Sequence, residues 1–203
     1  MEKKPIDVRR EEIINACEEL YKKENFKDIT IKQIGEKTTF SRTSIYNYFQ
    51  TKEEIFLALF QREYEKWIED LNKIYEENEK LIIEELANKL AHTIEKRPTL
   101  LKLLAMNLYD MEGNSKMEAL VEFKQAYGDS IKAVKRCLDK FVTNMNEEEK
   151  TNFIFSFFPF MYGIYPYAVV TTKQKEAMEK ADVPFKKLTI YEIAYMGTLK
   201  LLK

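Results

Sequence analysis

Between Ser41 and Lys52 the chain reads SRTSIYNYFQTK. Small hydroxyls, an arginine, an asparagine and two tyrosines are the groups that bond phosphate oxygens and base edges: arginine can read guanine, asparagine adenine, and hydroxyls either kind of acceptor. Only Ile45 and Phe49, four residues apart, offer bulk to a core, a narrower edge than the apolar stripe of a helix that merely packs. Arg42, Thr43 and Ser44 fall in the first turn of such a helix, where free N–H groups and the positive dipole end favour anions. Tyr46, Asn47 and Tyr48 then project outward, and Lys52 stands in the first turn of the next helix to meet a backbone phosphate. The same composition also suits a solvated surface helix, so the surrounding elements must decide.

Other chemistry is poorly supplied. The single histidine, His92, lies in ELANKLAHTIEKR, and no Gly-rich phosphate loop, zinc-spaced Cys/His cluster or nucleophile elbow accompanies it. The paired acids Glu84–Glu85 and Glu147–Glu149 sit on charged, solvated faces. The expectation is therefore no enzyme, with no catalytic residue, no metal site and no cofactor. Cys17 shares the apolar side of the first helix with Ile13, Ile14 and Leu20. Cys17 and Cys137 read as buried thiols of a reducing cytoplasm.

Of 203 residues, 45% are hydrophobic and 33% charged, which places the chain among globular proteins. Apolar spacings of three and four dominate, with 5 Gly and 5 Pro in all, so the expected class is all-α. The opening MEKKPIDVRREE carries no apolar leader, and a cytoplasmic location is expected. A net charge of −1 argues against binding nucleic acid by bulk charge. Residues 27–52 differ: Lys27, Lys32, Lys37, Arg42 and Lys52 face only Asp28 and Glu36, a local excess of +3.

Start signals locate the elements. A first helix is expected from about Asp7 to Lys23. Thr30 with Gln33 forms a capping box, and Ile29 with Ile34 a hydrophobic staple, opening a short helix to about Thr38. Ser41 is a second N-cap with Phe40 and Ile45 as its staple, and Thr51 with Glu54 a third. Three starts this close together leave two very short helices joined by a three-residue turn, the spacing of a helix-turn-helix.

Over Ile29–Phe56, ITIKQIGEKTTFSRTSIYNYFQTKEEIF, the chain resembles the tetracycline-repressor (TetR) family of bacterial transcription regulators. The shared pattern is Thr, then Ile-Ala, a turn ending in Ser, Ile/Leu-Tyr-x-Tyr/His-Phe, then Lys-Glu. Gly35 stands where the family commonly has Ala, and Thr39 where it has Gly. A β-branched residue at positive φ would cost about 1–2 kcal/mol, which leaves the turn geometry open. The resemblance implies an N-terminal three-helix DNA-binding domain over 1–52. A larger helical ligand-binding and dimerisation domain over 53–203 would follow, with about nine helices in total. It implies phosphate and base contacts from Thr30, Lys32, Thr39, Ser41, Arg42, Thr43, Tyr46, Asn47, Tyr48 and Lys52. It further implies a homodimer joined by its last two helices, whose reading helices enter a palindromic operator about 34–36 Å apart.

Beyond the motif, Ile55 to about Tyr75 continues as a long helix, and one over Leu81–Ile94 follows. Pro98 opens PTLLKLLAMNLYDME, and a long helix spans Lys116 to about Thr143. Asn146 caps a helix at EEEK, and a last one covers about Leu188–Leu202. Residues 153–170, FIFSFFPFMYGIYPYAVV, run 18 positions without a charge. A membrane span needs about 20 apolar residues. Internal Pro159, Gly163 and Pro166 favour instead a helix buried on two sides, one lining a cavity and one meeting a second subunit. Candidate cavity liners are Leu104, Tyr109, Phe123, Tyr127, Phe153, Phe157, Met161 and Tyr165, suited to an apolar or aromatic small-molecule effector. Ile190, Ala194, Gly197 and Leu201 form a stripe on the last helix whose small pair permits close helix approach at a dimer interface. The reading from another class is a helical scaffold or apolar-ligand carrier that never touches DNA.

Overall fold

The computed structural model describes residues 5–106 and 108–203, which form helices without a strand. Eleven helices follow in order among them: α1 (Pro5–Tyr21), α2 (Ile31–Glu36), α3 (Arg42–Ile45), α4 (Lys52–Glu77), α5 (Ile83–Glu95), α6 (Pro98–Leu104), α7 (Leu108–Gly113), α8 (Met117–Phe141), α9 (Glu147–Ala168), α10 (Thr172–Lys180) and α11 (Ile190–Leu202). They fall into two compact units, the described residues of Met1–Glu65 with Asn107–Gly128, and of Lys66–Met106 with Asp129–Lys203.

In the first unit Ile13, Cys17, Leu20 and Tyr21 of α1 are buried, as the helical spacing required. They share this core with Ile29, Ile34, Ile45, Phe49 and the α4 residues Ile55, Phe56, Leu59 and Phe60. Phe56 receives the ring edges of Tyr21 and Phe26 at centroid distances of 5.1 and 4.8 Å. Phe60 stacks on Tyr64 and meets Phe123 of α8 at 4.8 Å. Each such ring contributes about 1.5–3 kcal/mol by leaving water. Arg62 ties α4 to α1: its guanidinium donates to Glu11, Asn15 and Glu18 at 3.1, 2.7 and 2.7 Å.

The second unit is built around Trp67 and Leu71 of α4, the leucines of α5 and α6, and α9. Phe153, Phe157, Met161 and Ile164, spaced by four, four and three, are buried along one face of α9, while Phe155 remains 75% exposed. That division places part of the long uncharged run in the core; no single helix among the described residues is long and apolar enough to cross a membrane. Trp67 donates its indole N–H to Thr93 Oγ1 at 2.9 Å, and the Thr93 hydroxyl in turn donates to the Leu90 carbonyl at 2.7 Å. A closed set of charges joins the end of α8 to the start of α9: Lys150 meets Asp139 and Glu147 at 2.7 and 3.1 Å, and Lys135 meets the same two at 3.2 and 3.0 Å.

Two expectations are corrected. The single helix expected over 98–112 is two, α6 and α7: after Leu104 the ladder of α6 tightens, with the Met106 N–H bonding three residues back to the Leu103 carbonyl at 3.1 Å. A helix over Thr172–Lys180 was not expected: TKQKEAMEK has almost no apolar period, yet Thr171 and Gln174 form a capping box.

Candidate nucleic-acid interface

The reading segment is positioned from both sides by local chemistry. Thr30 is extended, its N–H donates to Gln33 Oε1 at 2.8 Å, and the Gln33 N–H returns to Thr30 Oγ1 at 3.2 Å. Ile29 and Ile34 beside this box are fully buried. α2 ends at Glu36, two residues earlier than expected, and Thr38 Oγ1 holds the exit by facing the carbonyls of Gly35 and Phe40 at 2.9 and 3.1 Å. No residue of the turn has a positive φ, so Thr39 sits there without left-handed strain. Gly35 has a different reason: a Cβ there would lie 3.3 Å from Arg42 Cα, so glycine lets α2 and α3 meet closely.

α3 is one turn long. Ser41 is extended at its N-cap, but its hydroxyl does not cap the backbone as expected; it pairs with Ser44 Oγ at 2.9 Å. After Ile45 the chain tightens, with the N–H groups of Asn47 and Tyr48 bonding three residues back to Ser44 and Ile45 at 3.2 and 2.9 Å. Ile45 and Phe49 are buried, and Arg10 lays its guanidinium 5.4 Å from the Phe49 ring centre. Arg42, Thr43, Tyr46 and Asn47 are exposed, and Ser44 and Tyr48 half-buried. This is a polar face on a short two-residue anchor, accessible to a groove or a phosphate chain.

The remaining DNA-facing candidates are partly engaged within the chain. Lys52 turns inward, donating to the Phe26 carbonyl at 2.8 Å with its ammonium 4.1 Å from that ring centre. Lys32 is 3.8 Å from Glu36. Thr39 donates its N–H to Glu12 Oε1 at 2.5 Å and shares its hydroxyl with Glu12 Oε2 at 3.2 Å. Thr30 and Ser41 are exposed.

The eight cavity candidates fall on both units. Tyr109, Phe123 and Tyr127 belong to the first unit, the other five to the second. Leu104, Phe123, Phe153, Phe157 and Met161 are buried core, Phe153 stacking on Phe157 at 5.2 Å, whereas Tyr109 is 85% exposed. Tyr127 and Tyr165 are half-buried, and loss of water around each phenol pushes its pKa above the ordinary value. An apolar groove of about 930 Å³ is lined by Phe160, Pro166, Tyr167, Met178, Phe185 and Met196 among others, and by none of the eight. Its outward positions on α9 and α11 were readable only as the reverse of the buried face.

In the α11 stripe, Ala194 is fully buried within its own chain and Ile190 and Leu201 are half-buried. A Cβ at Gly197 would lie 2.2 Å from Cζ of Phe160, so within the chain this glycine lets α11 pack closely on α9. His92 is exposed, stacks on Tyr191 at 4.5 Å and lies 3.2 Å from Glu95, an arrangement that positions no reaction. Among the described residues no group of three His, Cys, Asp or Glu could hold a metal ion.

Comparison with known sequences matches residues 13–59 to the family described as bacterial regulatory proteins, tetR family. Residues 61–192 match its tetracyclin repressor-like C-terminal domain, well over half the chain. The chain belongs to the TetR family. It is thus a transcriptional regulator and not an enzyme, in a family whose N-terminal part is a helix-turn-helix reader. A curated relative is an uncharacterized HTH-type transcriptional regulator, YfiR, of Bacillus subtilis (strain 168), 31% identical over 67 residues; the match spans 33% of this chain and 33% of that relative's length. Among solved structures, the fatty acid degradation regulator FadR from Bacillus halodurans shares 14% identity with a TM-score of 0.62, covering 100% of this chain and 97% of that one. FadR from Bacillus subtilis, crystallised with stearoyl-CoA, shares 18% identity at a TM-score of 0.59, covering 95% and 96%. At these identities the likeness is one of fold.

Proposed function

We propose that this TetR-family regulator binds a palindromic operator in the cytoplasm as a homodimer, represses from it, and is released by a small, mostly apolar or aromatic effector. Residues 1–52 carry the reading part, and 53–203 the effector and dimerisation part. The observation that supports it is the exposure of Arg42, Thr43, Tyr46 and Asn47 on a turn whose only deep anchors are Ile45 and Phe49. Arg42 has no ion-pair partner among the described residues, so its guanidinium is available to a base edge or phosphate. Thr30, Lys32, Thr39, Ser41, Tyr48 and Lys52 complete the proposed contact set. Lys52 must leave the Phe26 carbonyl to take part. The class of effector is supported by aromatic packing throughout the second unit and by the stearoyl-CoA in the FadR structure of similar fold. Tenfold release needs about 1.4 kcal/mol of coupling between effector and operator.

A mobility shift with duplex DNA from upstream of the protein's own gene, run at two salt concentrations, tests this. Binding should weaken as salt rises, and Arg42→Ala should weaken it about tenfold or more and lower the salt slope by about 1. No binding to any duplex, with retained uptake of apolar ligands, would instead make the protein a ligand carrier.

A further inference from the structure

We infer that Glu12, from α1, is a positioning residue for the reading segment. The inference rests on the DNA-binding conclusion above and names the group that sets the pose of its turn. Thr39 is at the apex of the α2–α3 turn, and the turn 37–41 has no glycine and no positive φ to fix its course. The Thr39 N–H points out of the local backbone ladder. Its partner comes from 27 residues away: Glu12 Oε1 accepts that N–H at 2.5 Å while Oε2 pairs with Thr39 Oγ1 at 3.2 Å, a two-pronged grip on one residue. A second hold comes from the same stripe of α1, where Glu19, seven positions along, takes Lys37 Nζ at 2.7 Å. Arg9, one turn before Glu12, lays its guanidinium 5.8 Å from the ring centre of Phe40. Three α1 side chains therefore grip residues 37, 39 and 40, directly ahead of Ser41 and Arg42. Of these, only Glu12 binds the backbone, and a backbone bond fixes a turn where a side-chain contact merely covers it.

Hydrogen bonds to a charged acceptor are strong, and losing an exposed pair of them frees the turn without emptying any core space. Glu12→Ala should therefore leave the fold intact while weakening operator binding about tenfold. Glu12→Gln keeps an acceptor for the N–H and a donor for the hydroxyl, so it should bind within about twofold of the wild type. Amide exchange of Thr39 gives a readout independent of DNA: about tenfold faster in Glu12→Ala, unchanged in Glu12→Gln. The DNA measurement uses the wild-type chain and both variants on the same upstream duplex, with thermal melting as the check on folding. Wild-type affinity in Glu12→Ala overturns the inference. So does tighter binding in that variant, which would make Glu12 a negative charge that opposes DNA, or an equal loss in Glu12→Gln. If the wild type shifts no duplex, the DNA-binding conclusion fails first and this one falls with it. A wild type that binds beside an indifferent Glu12→Ala overturns this one alone.

Discussion

Gly197→Ala gives a sharp test of how α11 sits on α9. An alanine Cβ would meet Phe160 Cζ at 2.2 Å, with Cε2 and Cε1 at 2.6 and 2.7 Å, so the ring must retreat 1.2 Å to reach an ordinary 3.4 Å contact. Overpacking of this kind costs about 1–3 kcal/mol. Replacing an interior helical glycine by alanine returns about 1 kcal/mol of backbone entropy. Phe160 is half-buried and borders the open groove, so its ring has somewhere to go, and the cost should lie in the middle of that range. The net is a loss of about 1 kcal/mol, read as a fall of about 2–4 °C in melting temperature at fixed protein concentration. The double variant supplies the decisive comparison. With Phe160→Ala already in place no ring opposes the new methyl, and Gly197→Ala should then stabilise by about 1 kcal/mol. Equal stabilisation in both backgrounds would refute the packing described for this helix pair.

Trp67→Phe removes the indole donor to Thr93 and leaves a gap at a fully buried site, and should cost about 2–4 kcal/mol by urea denaturation followed by circular dichroism. Acid titration probes the α8–α9 charges. A hydrogen bond from Lys150 holds Asp139 below its usual 3.8, and one from Lys135 holds Glu147 below its usual 4.5. Both acids titrate lower when folded than when unfolded, so their stabilisation is present above those usual values and is lost as pH falls through the folded ones. Asp139→Asn should flatten the fall of melting temperature below about pH 4.5; an acid limb identical to the wild type's would count against the network.

What could be read from sequence followed from distance along the chain. The Thr30–Gln33 box, the Asn146 cap and the Ile29–Ile34 staple join neighbours three to five residues apart, so their helix starts were legible. Ser41 was legible as a position but not in its bond, because Ser44 competes for the same hydroxyl. The Glu12 grip on Thr39, spanning 27 residues, leaves no local pattern. Small residues on α11 announced a close approach, and within the chain Phe160 comes up to Gly197, but Ala194 and Gly197 by themselves cannot say which helix approaches. Which aromatic residues wall a cavity is not legible for a similar reason: a run as aromatic as 153–167 has large rings on every face, so periodicity does not separate buried core from groove wall.

The inward turn of Lys52 bears on how fast a duplex could be captured. Of the five cations in residues 27–52, Lys37 is paired with Glu19 and Lys32 with Glu36, leaving Lys27, Arg42 and the inward-turned Lys52, whose carbonyl partner leaves its charge intact, to project a field. Against a whole-chain charge of −1, that field gives an approaching polyanion little guidance from afar. Association would then run near the unsteered range of about 10⁵–10⁶ M⁻¹s⁻¹. Long residence on the correct sequence would have to come from slow departure rather than rapid arrival.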